Sequence, residues 1–115
     1  MISDAEMRAR LETVRAYPMA WLKKGPAYLP SDGRPAEQAA IVWEHGRRNM
    51  ELRDAGKMAI VGPLQGAGEI VGICIFCVPE AEAREIMDGD GAVQAKIFVY
   101  ELVTLYGIPG QTLAA

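Results

Sequence analysis

The chain has 115 residues, room for one domain, and half of them are hydrophobic against 23% charged, a globular balance that excludes wholesale disorder. A net charge of -3 lacks the basic face that nucleic-acid binding needs, so that class is set aside. No apolar run approaches the ~20 residues that cross a bilayer, and the start Met1-Ile-Ser-Asp-Ala-Glu6 lacks the basic-then-apolar order of a signal peptide; both predict a cytoplasmic protein without membrane contact.

Ser3 and Glu6 spell a capping box, and Met7, Leu11 and Val14 follow at helical spacing, which predicts an accessory N-terminal helix over Ser3 to Ala16 that must dock on something. Tyr17-Pro18 should end it. Residues 19–106 then form the core of the domain and 107–115 a loosely held tail. Met19 to Leu29 reads as a strand interrupted at Gly25-Pro26, with loop through Pro35. Pro35 suits the first position of a helix, and that helix should reach Ala55, with Gly56 as its stop. Val42, His45, Gly46, Asn49 and Leu52 fall along one of its faces.

Lys57 to Pro63 predicts a short strand, and Leu64 to Gly68 a glycine-rich turn. Glu69 to Val78 then predicts a central strand, so the pair makes a hairpin. Pro79 to Met87 predicts a second helix with Ala83, Ile86 and Met87 facing inward. Asp88-Gly-Asp-Gly91 breaks it, a short turn covers Ala92 to Lys96, and Ile97 to Tyr106 is the last strand. The order β-α-β-β-α-β after an extra helix is the ferredoxin-like α+β plan, an antiparallel sheet with both helices on one face.

Such a sheet normally alternates apolar and polar residues, because its second face meets water. These strands do not alternate. On the central one, Ile70, Cys74, Phe76 and Val78 point one way, while Val71, Ile73, Ile75 and Cys77 point the other. The last strand repeats the pattern with Phe98 and Leu102 against Ile97, Val99, Val103 and Leu105. Helices for one face leave several hundred Å² of apolar surface on the other. A second copy packed sheet to sheet is the expected cover, hence a homodimer.

Several motifs fail on context. Cys74 and Cys77 lie within a strand, three apart and on opposite faces, so they read as two inert core thiols rather than a redox or metal pair. A calcium loop from Asp88 would need an acid where Val99 stands. Gly66 and Gly68 belong to a hairpin with no helix after it, so they are no dinucleotide fingerprint. One histidine and scattered acids are poor material for a metal site, and no cofactor is expected.

His45 is the only histidine, and histidine is the side chain suited to proton transfer at neutral pH. Two readings stand: a general base, or a core-facing ring satisfied by backbone. Asp90 is equally open, because it can cap the turn that starts at Gly91. Arg34, Arg48 and Tyr100 could rim a pocket, as could Glu44, Trp43, Tyr28 and Tyr106. Gly62-Pro63, closing a strand, could let a ligand approach backbone. For each, packing or solvation is the plainer role.

The sequence of His45, Gly56, Lys57 through Gly62-Pro63, the central strand, the helix Glu80 to Met87, Asp90 and the strand from Ile97 resembles the YCII-related (YciI-like) family of the dimeric α/β-barrel superfamily. The likeness covers residues 35–106, with Asp90-Gly91 where the family has Asp-Pro. The resemblance implies a ferredoxin-like dimer with a small-molecule pocket beside a His-Asp pair, and places His45 and Asp90 in that pair. Most members have no assigned reaction; some relatives act on small ring compounds, for instance by dehydrochlorination of a hydroxylated aromatic. Two functions follow as expectations: a cofactor-free enzyme using the pair for acid–base chemistry, or a non-catalytic dimer that binds a small ligand.

Overall fold

The computed structural model describes residues 1–115. Its elements are α1 (Asp4–Leu11), β1 (Arg15–Lys24), a 3-10 turn (Ser31–Gly33), α2 (Ala36–Asp54), β2 (Met58–Pro63), β3 (Ile70–Phe76), α3 (Glu80–Asp88), the short α4 (Gly91–Gln94) and β4 (Phe98–Gly107). The four strands make one sheet in the order β2-β3-β1-β4, and every neighbouring pair is antiparallel. This is the ferredoxin-like α+β architecture expected from the order of elements.

Local chemistry accounts for the boundaries. α2 starts after Pro35 and stops at Gly56, whose φ of +77° is a conformation glycine adopts without a Cβ penalty. β1 stops at Lys24 because the next residue meets the chain entering β4. A Cβ on Gly25 would lie 2.3 Å from Lys96 O, and Gly25 N–H donates to Ile97 O at 2.8 Å. Only glycine fits there.

The core lies between the sheet and α3–α4. From the sheet it takes Ala20, Leu22, Met58, Cys74, Phe76 and Phe98, and from the helices Ala83, Ile86, Met87 and Ala92. α2 packs less closely. No residue of its 19 is buried, and it leans across β2 with Val42 and Leu52 reaching the core edge. The gap it leaves against the sheet is a cavity.

The opposite face carries the predicted second apolar layer. Strand register aligns Ile60, Ile75, Met19 and Val103 in one row across all four strands, with Ile73 beside Trp21 in the next. None of these residues is buried in the chain alone. α1 is exposed along its whole length, including Met7 and Leu11.

Ile97, assigned to the second face, is instead 1% exposed in the core, because it precedes β4, which begins at Phe98. Four further details differ from the sequence reading. The N-terminal helix ends at Leu11 rather than Ala16, and β1 begins at Arg15 and runs straight through Pro18. Proline is tolerated because β3 reaches β1 only from Met19 onward; at Pro18 the one neighbour is Thr104 of β4, so no N–H is owed to β3. Cys77 is exposed, since β3 stops at Phe76, so only Cys74 is a core thiol. Finally, Lys23 pairs with Ile70 and Leu22 with Gly72, which leaves Val71 as a bulge packed against the core. The strict alternation assigned to Ile70 and Val71 is broken at that point.

Candidate active site

α2 presents His45, Arg48 and Asn49 within one turn, because residues three and four apart share a helix face. The loop after α3 presents Asp90. His45 Nδ1 and Asp90 Oδ2 are 2.7 Å apart, with Asp90 2% and the histidine 12% exposed. The carboxylate's other oxygen, Oδ1, accepts N–H from Ala92 at 2.8 Å and from Val93 at 3.4 Å, which caps α4. Capping and histidine pairing, alternatives on sequence grounds, are therefore divided between two oxygens of one group.

Burial alone would raise the Asp90 carboxyl. The bond and charge of His45, followed by the two α4 amides, outweigh it and hold the group below the ordinary carboxylate range. Ionised Asp90 can only accept, so Nδ1 of His45 carries the hydrogen, and whenever the ring is neutral its Nε2 is bare. Asn49 Nδ2 lies 3.2 Å from that nitrogen, so the amide NH2 faces the ring and can donate to the bare lone pair. The imidazole also lies 5.1 Å from the Phe98 ring, centroid to centroid, at a 47° tilt. Its orientation is set from three sides.

Beside the ring is a cavity of about 310 Å³ under α2. Leu22, Val42, Val61, Val71 and Phe98 give it an apolar wall, the β2–β3 edge at Gly62, Pro63 and Gly72 closes one side, and Gly46 and Met50 of α2 stand opposite. His45 and Asn49 are its polar groups with hydrogen-bonding side chains. Asp90 is not in the lining; it stands behind His45. Cys74 also faces the cavity, but burial, then the charge of Asp90, push its thiol up to about 12, so it stays protonated and is a poor nucleophile.

The other rim residues predicted from sequence are used elsewhere. Arg48 donates to Ile86 O at 2.9 Å and stands 3.7 Å from Asp90 Oδ2, adding positive charge behind the pair. Arg34 donates to Leu29 O and lies over the Tyr28 ring. Tyr100 donates to Asp88 Oδ1 at 2.6 Å; burial and that bond raise its hydroxyl. Gly62 and Pro63 do line the cavity. Asn49 was seen in sequence only as a residue on the helix face. Its spacing of four from His45 was the signal that could have promoted it.

No three of His, Cys, Asp and Glu converge at metal-binding distance, and no helix is long and apolar enough to cross a membrane. No family model matches the chain, and no curated protein does. Among solved structures, one similar chain is the 5-chloro-2-hydroxyhydroquinone dehydrochlorinase (TftG) from Burkholderia phenoliruptrix AC1100 in complex with 2,5-dihydroxybenzoquinone, at 16% identity and TM-score 0.44 over 79% of this chain and 91% of that one. Another is the methylated RPA0582 protein, at 18% identity and TM-score 0.39 over 96% of each chain.

Proposed function

We propose that this chain is a homodimeric enzyme of the YCII-related type that moves a proton on a small, mostly apolar molecule, with His45 as the acid–base group and Asp90 as its partner. The observation that carries this reading is the 2.7 Å bond between the only histidine and a buried carboxylate at the wall of a cavity. Asp90 holds the proton on Nδ1, so the basic lone pair is at Nε2. When Nε2 takes a proton, the imidazolium lies against an ionised carboxylate in surroundings that screen the attraction little. The apolar wall suits a small ring, the substrate class the family resemblance implies. A general base so placed contributes about 10²–10⁴-fold to a rate. Work in the cytoplasm, without a cofactor, belongs to the same reading.

Surface area supports the second copy. A compact monomer of 12.5 kDa should expose about 6,200 Å², whereas this chain exposes 7776 Å². The surplus of roughly 1,600 Å² is about twice what one partner buries in a standard interface; the exposed α1 accounts for part of it, and the row from Ile60 to Val103 is the apolar patch a second copy would cover.

The test is His45→Gln against small hydroxylated ring compounds. We expect turnover to fall about 10²–10⁴-fold while ligand binding survives. If the wild type binds such compounds but converts none, the non-catalytic binding dimer is the correct function. If light scattering at micromolar protein gives a 12.5 kDa particle, the assembly is wrong.

A further inference from the structure

The Asn49 amide occupies the one position from which His45 can act. Its Nδ2 lies 3.2 Å from the bare Nε2 lone pair, and both groups line the cavity. A ligand hydroxyl that is to give its proton to Nε2 must take that place. The displaced NH2 is then beside the ligand oxygen, on a side chain that makes no hydrogen bond to Asp90. We propose that Asn49 is the donor that receives the ligand's oxygen anion: it blocks the base while the cavity is empty and stabilises the oxyanion once the proton has gone.

The inference rests on the acid–base reading above and adds a requirement to it, that the proton lost by the ligand comes from oxygen. In the step, the ligand O–H bond breaks, an N–H bond forms on Nε2, and the electron pair stays on oxygen. The result is an imidazolium paired with Asp90 and an oxyanion paired with Asn49, with no change in total charge and no co-reactant. The cavity offers the anion no other side-chain N–H apart from the histidine itself: Arg48 is committed to Ile86 O and Asp90, and Cys74 is a weak donor. A preorganised donor of this kind is worth about 10²–10³-fold in a rate when removed. Asn49 is therefore a positioning and charge-holding residue, and a merely structural amide would not show that effect.

The probe is 4-nitrophenol, whose yellow anion reports its own ionisation. In neutral buffer, wild-type protein in excess should increase the ionised fraction of the bound probe. Asn49→Ala should reduce that increase at least tenfold in the ionisation equilibrium, with the probe still bound. Asn49→Asp is the sharper variant, being the same shape with its donor replaced by a carboxylate. It should abolish the protein-induced increase in the yellow species, and the single histidine's ¹⁵N signals should show hydrogen on both ring nitrogens, because a carboxylate would then face each. Full retention of the ionised probe in both variants overturns the role of Asn49 while leaving His45 as the base. If wild type itself does not increase the ionised fraction, the acid–base reading fails and this inference fails with it. The two failures differ in whether the wild type responds.

Discussion

The two faces of the sheet are built from similar residues one position apart. Toward the helices, Phe76 and Ala20 are 0% exposed and Cys74 is 4% exposed. On the other face their chain neighbours Ile75, Met19 and Ile73 stand half-exposed, although they align into an apolar row as regular as the covered one. Hydropathy therefore says where a residue is content to be buried, and only topology says what buries it. α3 and α4 cover the first face; nothing in the chain reaches the second.

The largest effect separates the faces by their dependence on concentration. Phe76→Ala removes a fully enclosed ring from the covered face and should cost about 3–5 kcal/mol, the same at any protein concentration when read by urea unfolding of the isolated subunit. Ile75→Ala, its neighbour across the sheet, should cost about 2–4 kcal/mol if a second copy encloses it, and well under that if water does. In the enclosed case the wild-type midpoint rises with concentration. Ile75→Lys should then yield monomers with an intact far-ultraviolet spectrum. A concentration-independent midpoint with a negligible loss in Ile75→Ala would leave the second face bare.

Next in size is Asp90, a buried charge on the covered side. Asp90→Asn keeps the shape but removes the charge that pairs with His45, and a hydrogen bond to a charged group is worth about 1.5–3 kcal/mol. Its pH dependence has a definite sign. The folded group holds its proton less tightly than the unfolded one, so its contribution is fully present above the ordinary Asp value near 3.9. It drains away as the pH falls through the lower, folded value. The gap in stability between wild type and Asp90→Asn should therefore close in the acid range. A gap that stayed fully open well below the ordinary Asp range would contradict the ionised assignment.

Much of this was legible in the residues, for identifiable reasons. Element order followed from Gly56, Pro79 and the Asp88–Gly91 break, because glycine and proline act locally. The two-faced sheet followed from β3 and β4, where period two places Ile73 to Phe76 and Phe98 to Val103 on their sides. What escaped depended on neighbours. Pro18 looked like a terminator because sequence does not reveal that β3 ends opposite it. Val71 looked like the other face because a bulge is a property of two strands together. Cys77 looked internal because nothing marks the last residue of a strand. At the site, His45 stood out by being single, and its union with Asp90 across 45 positions came from family likeness rather than from any pattern in the chain. Asn49 needed the tautomer of His45 to be known first.

The smallest expected effect decides the matter most economically. Lys23 Nζ and Glu101 Oε2 form a 2.8 Å ion pair on the second face, with side chains 34% and 57% exposed in the single chain. Left in water, such a pair is worth about 0–1 kcal/mol and fades with added salt. Enclosed by a partner subunit, it is shielded from salt, and Lys23→Ala strands a carboxylate in an apolar interface, raising the cost to about 3–5 kcal/mol. Were the pair at the rim of such an interface, Lys23→Ala should cost about 1 kcal/mol with a salt dependence weaker than that of Arg10→Ala, whose pair with Glu6 lies on the exposed α1. Equal salt dependence in the two variants would mean that water, not protein, covers the sheet beside Lys23.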